Sequence, residues 1–306
     1  MKKVVKWPQA VTLKEVGPRD GLQNEQQFLE TEHKVAWINA LSQTGLTYVE
    51  ITSFVHPRWM PALSDGESVA KQIVRVPGVT YAALVPNRRG LVRALSADVD
   101  EVAVFMSASE THNRKNINKS CADTLPILRE VVREATQAGK RVRGYLSTVF
   151  GCPYEGEVAH RDVLRLADAL FEMGVYEVSF GDTIGVANPR QVQIVLSELL
   201  SYYPAEKLAL HFHDTRGTAI ANVLAALDLG ITVFDGSVGG LGGCPYAPGA
   251  SGNIATDDLL YMLAEMGIST GIDRDKLHEA ARFIQEKIGR QLPSHQLRAL
   301  SGTMSK

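Results

Sequence analysis

Two histidines spaced two apart close an apolar run, Leu208-Ala-Leu-His-Phe-His-Asp214. In a strand, side chains at i and i+2 share a face. His211 and His213 therefore aim two imidazoles at one point while Phe212 turns away into packing. Two converging neutral imidazoles suit a divalent metal; a pair of hydrogen-bonded histidines at a strand end is the plainer reading. Other residues must decide between them. The sequence Gly17-Pro-Arg-Asp-Gly21 supplies a cation and a carboxylate side by side, Arg19 and Asp20, with Gln23 just beyond. A long glycine-rich stretch, 239–253, carries Cys244 and ends in Asn253.

The elements that must position these residues follow from the hydrophobic pattern. Strand-like runs fall at Val11–Val16, Tyr48–Thr52, Thr80–Val85, Glu101–Met106, Val142–Thr148, Tyr176–Phe180, Leu208–His213 and Thr232–Val238. Helical spacing separates them, with Gly45, Gly139, Gly174 and Gly230 where helix C-termini should lie. Eight strands, each followed by a helix, predict a closed (β/α)8 TIM barrel of the α/β class. An open doubly wound sheet is less suited, because the stretch after the first strand is not a dinucleotide fingerprint. The helix 255–266 completes the ring, and helical spacing over 274–288 predicts one extra C-terminal helix. With no linker or low-complexity stretch, residues 1–306 read as a single catalytic domain: a barrel over about 11–270 and a helical extension over about 271–306.

Active sites of such barrels gather at the C-terminal ends of the strands. Polar residues load that side here: Arg19, Asp20 and Gln23; Glu50 and Ser53; Ser107, Ser109 and Glu110; Ser147 and Thr148; Asp182 and Thr183; His211, His213 and Asp214. Barrel closure sets the first and seventh strands two spacings apart, about 9–10 Å. Asp20, His211 and His213 can span that gap to share one ion, and Asn253 can add an amide oxygen. Two imidazoles with two hard oxygens favour Mg²⁺ or Mn²⁺ over Zn²⁺, although the same donors resemble a ferrous triad. Cys244, on a loop able to flex, is placed to move a proton. Cys152 and Cys121 read as packing residues.

Composition narrows the function. A chain 45% hydrophobic with net charge −2 has no electrostatic footprint for nucleic acid or an anionic membrane. No apolar run reaches membrane-span length. Three scattered cysteines make no disulfide framework, so a reducing, cytoplasmic location is expected.

Several blocks in order along the chain carry a specific likeness: Glu15–Glu25, Thr52–Val55, Lys115–Asn118, Gly151–Gly156, Gly181–Gly185, His211–Thr215 and the loop 239–253. Together they resemble the 3-hydroxy-3-methylglutaryl-CoA (HMG-CoA) lyases, among the metal-dependent barrel lyases that also include isopropylmalate and homocitrate synthases. The resemblance implies Asp20, His211, His213 and Asn253 as metal ligands, Arg19 as the essential cation and Cys244 as a mobile acid/base. Gln23, Glu50 and Asp182 match positions lining the same site, which implies Glu50 and Asp182, with His211, as catalytic groups and Gln23, with Arg19, as substrate-binding. It further implies cleavage of HMG-CoA to acetoacetate and acetyl-CoA in leucine degradation, with the base left open between His211 and Asp20. A homodimer or larger homo-oligomer is expected. The cysteine near the C-terminus used between subunits by animal mitochondrial members is not seen, nor is their presequence. The alternatives are the same chemistry on a longer branched 3-hydroxyglutaryl-CoA, an acetyl-CoA condensing synthase, and a non-catalytic metal-binding protein that would leave Arg19 and Cys244 without roles.

Overall fold

A computed structural model of the chain describes residues 7–25, 27–243 and 252–303. Eight parallel strands close into a barrel in sequence order, the first pairing with the last. They are β1 (Thr12–Glu15), β2 (Tyr48–Ser53), β3 (Thr80–Leu84), β4 (Glu101–Ser107), β5 (Arg141–Ser147), β6 (Val178–Asp182), β7 (Leu208–Phe212) and β8 (Val233–Gly236). All eight lie where the hydrophobic runs put them, with ends shifted by one or two residues. Around them run helices α1 (Thr31–Ser42), α2 (Gly66–Gln72), α3 (Arg88–Ser96), α4 (Glu110–Ile117), α5 (Cys121–Gln137), α6 (His160–Glu172), α7 (Pro189–Leu199), α8 (Ala219–Leu227) and α9 (Thr256–Glu265). The four glycines expected at helix ends all have positive φ, from 76° to 100°, a region that side chains with a Cβ rarely enter.

Where one extra C-terminal helix was expected, there are two: α10 (Arg274–Ile288) and α11 (His295–Thr303). The second escapes a periodicity search because it is short and is started by long-range contacts. Asp258 of α9 accepts from the backbone N–H groups of His295 and Gln296 at 3.1 and 2.9 Å, and Ser294 Oγ donates to the same carboxylate at 3.0 Å.

The main core lies between the outer faces of the strands and the helix ring, built from side chains such as Val49, Val102, Leu146, Phe180, Leu210 and Phe234. Inside the barrel the packing differs. Leu84, Ala103 and Tyr145 form a small separate apolar cluster, and buried ions fill much of the remainder. Lys14 and Arg143 share Glu177 Oε1 at 2.7 and 2.6 Å, and Arg143 also pairs with Asp235 at 2.7 Å. This polar column leads up to the strand ends, where the candidate site lies.

Candidate metal and catalytic centre

The chain leaves β1 through one wide turn, Gly17–Gly21, with π-type hydrogen bonding. Arg19 and Asp20 therefore sit on this turn rather than at the strand end itself. The buried Glu15 fixes the turn. Its Oε1 accepts from the N–H groups of Gly17 and Val238, both at 2.9 Å, and its Oε2 accepts from the Thr256 hydroxyl at 2.7 Å. One carboxyl thus ties the Arg19-Asp20 turn to the segment after β8 and to α9. Burial pushes its pKa up to about 8 against these three donors.

Asp20 is the hub. Its Oδ1 accepts from Arg19 and, at 2.6 Å, from Gln23 Nε2. Its Oδ2 accepts from Asn253 Nδ2 at 2.8 Å and faces Nε2 of His211 at 3.8 Å and of His213 at 4.0 Å. Ligand atoms of Asp20, His211 and His213 all lie within 4.8 Å of one another. All three residues are buried. Burial opposes ionisation of Asp20, but the Arg19 guanidinium and the two imidazoles hold its pKa at about 2. Burial and the neighbouring His211 lower His213 to about 4. A charged carboxylate beside a neutral imidazole is the protonation state that a hard divalent cation requires.

Asn253 reaches this point by a route that the strand order does not announce. The chain returning from the glycine loop forms an antiparallel bridge, His213 to Asn253, and Ile254 N–H donates to Phe212 O at 3.0 Å. The amide of Asn253 donates to Asp20 and to Leu241 O, while its buried Oδ1 has no partner among the described residues. An orphaned oxygen next to a carboxylate and two imidazoles fits a fourth ligand. Gly242 allows the close passage, since a Cβ there would stand 2.9 Å from Asn253 Nδ2.

Arg19 lies between two anions. Its Nε and Nη2 each meet Glu50 Oε2 at 2.8 Å, and its Nη1 meets Asp20. Tyr145 stacks near the guanidinium, 5.3 Å from ring centre, and its hydroxyl donates to Glu50 Oε2 at 3.0 Å. Glu50 thus aims Arg19 rather than facing the metal ligands. Asp182 is also turned away from them: its two oxygens accept from the N–H groups of Val186 and Ala187 at 2.9 and 3.0 Å. Burial raises it to about 6 against those donors. It anchors the loop after β6. Cys244 lies outside the described residues. Cys121 and Cys152 are buried and free, as packing residues should be.

Two partners were not found from sequence. Asp235 on β8 places Oδ2 3.4 Å from Nδ1 of His211, and the fully buried Arg143 holds Asp235 from below. The available signal was charge inside strands: Lys14, Glu101, Arg143, Glu177 and Asp235 all interrupt apolar strand runs.

A closed parallel barrel with a carboxylate, two imidazoles and a buried guanidinium at its C-terminal rim defines an enzyme centre of the metal-assisted type. Similarity to known proteins gives the family. A profile described as HMGL-like matches residues 10–284. A hydroxymethylglutaryl-CoA lyase of Bacillus subtilis is 61% identical over 97% of this chain and 99% of its own length. The mitochondrial hydroxymethylglutaryl-CoA lyase of Bos taurus is 49% identical over 94% of this chain and 89% of its own. Among solved structures, the B. subtilis HMG-CoA lyase superposes with TM-score 0.96 over 96% of this chain and 99% of that one, at 61% identity. An Acinetobacter baumannii HMG-CoA lyase, in complex with coenzyme A and 3-methylmalate, gives TM-score 0.91 at 42% identity over 95% of each chain. The chain belongs to the HMGL-like family and is a lyase of the HMG-CoA type. Among the described residues no helix is long and apolar enough to cross a membrane.

Proposed function

We infer that this chain cleaves 3-hydroxy-3-methylglutaryl-CoA to acetoacetate and acetyl-CoA, a step of leucine degradation, at the centre formed by Asp20, His211, His213 and Asn253. The observation that carries this reading is the convergence of those four side chains beside Arg19, in a chain 61% identical to a hydroxymethylglutaryl-CoA lyase. A bound Mg²⁺ or Mn²⁺ supplies Lewis-acid polarisation of the substrate hydroxyl and carboxylate oxygens.

The protein's own groups do the remainder. His211 or Asp20 takes the proton from the C3 hydroxyl. As the C3 carbonyl forms, the C2–C3 bond breaks and its electron pair moves to C2 as the enolate of acetyl-CoA. Arg19, held from both sides by Glu50 and Asp20, presents fixed positive charge to that developing anion. Cys244 donates the proton that C2 needs. Gln23 keeps Asp20 in place through its 2.6 Å hydrogen bond.

We further propose that residues 1–306 act as one catalytic unit, as a homodimer or larger homo-oligomer in the cytoplasm. The two buried free thiols support a reducing compartment, and sedimentation would read the assembly. The function is tested with purified protein given Mg²⁺ or Mn²⁺ and then EDTA, offered HMG-CoA and a longer branched analogue. Equal amounts of acetoacetate and acetyl-CoA, abolished by chelation, are expected. Cleavage insensitive to EDTA, or confined to the analogue, would overturn the assignment.

A further inference from the structure

The two imidazoles of the centre are not equivalent, and the difference lies beneath them. His213 Nδ1 is buried with no hydrogen-bond partner among the described residues. His211 Nδ1 likewise makes no hydrogen bond among the described residues, but it faces a carboxylate, with Asp235 Oδ2 at 3.4 Å. This is long for a hydrogen bond and well within charge contact. Asp235 is the upper end of a fixed ionic stack. Arg143 donates from Nη2 to Asp235 Oδ1 at 2.7 Å, and Ser179 Oγ donates to Oδ2 at 2.7 Å. Arg143 is itself braced below by Glu177 at 2.6 Å. Asp235 and Arg143 are both essentially inaccessible to solvent.

We propose that Asp235 is a positioning residue that fixes His211 as its Nδ1–H tautomer, leaving the Nε2 lone pair directed at Asp20 and at the cation site. A guanidinium only donates, so Arg143 must find acceptors on Asp235. An ionised carboxylate only accepts, so the nitrogen facing it must carry the proton. The fully buried guanidinium of Arg143, paired with Asp235 at 2.7 Å, requires an anion there. Carboxylates behind metal-binding histidines act in this way, and their loss typically costs 10–100-fold in metal affinity. This inference rests on the reading of Asp20, His211 and His213 as the cation site.

The rival explanation is that Asp235 only neutralises Arg143. Asp235→Asn separates the two. Arg143 donates to Oδ1 at 2.7 Å and to Oδ2 at only 3.3 Å, so the new amide oxygen keeps the shorter bond and the NH₂ group turns to His211 Nδ1. An NH₂ neighbour requires Nδ1 to accept, which moves the ring proton to Nε2, where the ion should bind. The same inversion of tautomer by a carboxylate-to-amide change is known from the serine-protease triad.

The first experiment uses the unaltered, metal-free protein. Nitrogen chemical shifts of ¹⁵N-labelled histidine, assigned by the loss of one ring in His211→Gln, report the tautomer directly. His211 is expected with Nδ1 protonated; a ring protonated on Nε2 would overturn the proposal whether or not any variant folds. The second measures Mn²⁺ binding to Asp235→Asn, with circular dichroism in EDTA to confirm folding. A folded variant with His211 switched to Nε2–H and an affinity 10–100-fold weaker is expected. A folded variant with unchanged tautomer and affinity would reduce Asp235 to a counter-ion. If the unaltered protein binds no Mn²⁺ while His211 is Nδ1-protonated, the cation-site reading fails and the tautomer assignment stands, so the two failures are distinct.

Discussion

Glu50→Gln removes one buried charge and little else, and its effects on stability and on activity should separate. Glu50 Oε2 accepts from Arg19 Nε and Nη2 at 2.8 Å each and from the Tyr145 hydroxyl at 3.0 Å, while its buried Oε1 has no partner among the described residues. A glutamine can put its oxygen in the first position and its nitrogen in the second, so the hydrogen bonds to Arg19 survive. Two unit charges 2.8 Å apart attract by roughly 6 kcal/mol at an effective dielectric constant of about 20. Burying the carboxylate costs several kcal/mol in return. Burial wins: it raises the Glu50 pKa despite the attraction of Arg19. A folded-state pKa above the unfolded one means that ionisation works against the fold, so losing the charge should cost little. We expect the melting temperature of Glu50→Gln to stay within about 2 °C of the parent, a change on the order of 1 kcal/mol for a chain of this length. Activity has no such compensation. Arg19 loses one of its two anions and is drawn toward Asp20, and a displacement near 1 Å at a reacting centre costs about 10²-fold. The assay pairs thermal melting by circular dichroism with acetyl-CoA release. A variant with parental kcat would refute the claim that Glu50 aims Arg19, and a collapse of the melt would refute the cancellation.

Arg19→Gln should lower kcat by at least about 10²-fold, the scale of losing one transition-state donor, while Mn²⁺ affinity changes far less; normal turnover would remove Arg19 from the chemistry. Cys244→Ala should slow cleavage sharply and leave metal content unaltered by atomic absorption, whereas equal metal loss would make Cys244 a ligand. For Asp182, whose pKa is raised by burial to about 6, the folded state favours the neutral acid. That contribution, about 3 kcal/mol at most, is present below pH ~4 and lost as pH rises toward 6. Denaturant titrations of metal-free protein should show this slope, and Asp182→Asn should flatten it while losing one of the two acceptors for the Val186 and Ala187 amides; an identical slope in both proteins would contradict it.

Much of this architecture was legible because it is local or periodic. The eight strands and the positive-φ glycines follow from patterns inside short windows, and the barrel then brings Asp20, His211 and His213 to one rim. Partnerships inside the barrel were not legible. Arg143 and Asp235 are separated by 92 residues, and nothing in either neighbourhood names the other. Glu50 and Asp182 were visible as polar residues at strand ends, but sequence could not tell a group facing the reaction from one aiming Arg19 or holding backbone amides. The wide turn at Gly17–Gly21 was hidden because it depends on Glu15, Val238 and Thr256 meeting across the barrel seam. The start of α11 depends similarly on Asp258.

The central claim is that Asp20, His211 and His213 hold one divalent ion. Pulsed electron paramagnetic resonance of the Mn²⁺-loaded protein tests it most directly, because it counts nitrogen nuclei bound to the metal. Two imidazole couplings are predicted at one Mn²⁺ per chain, with one lost in His211→Gln and the other in His213→Gln. Tightly bound Mn²⁺ with no nitrogen coupling, or with couplings that survive both substitutions, would contradict the account.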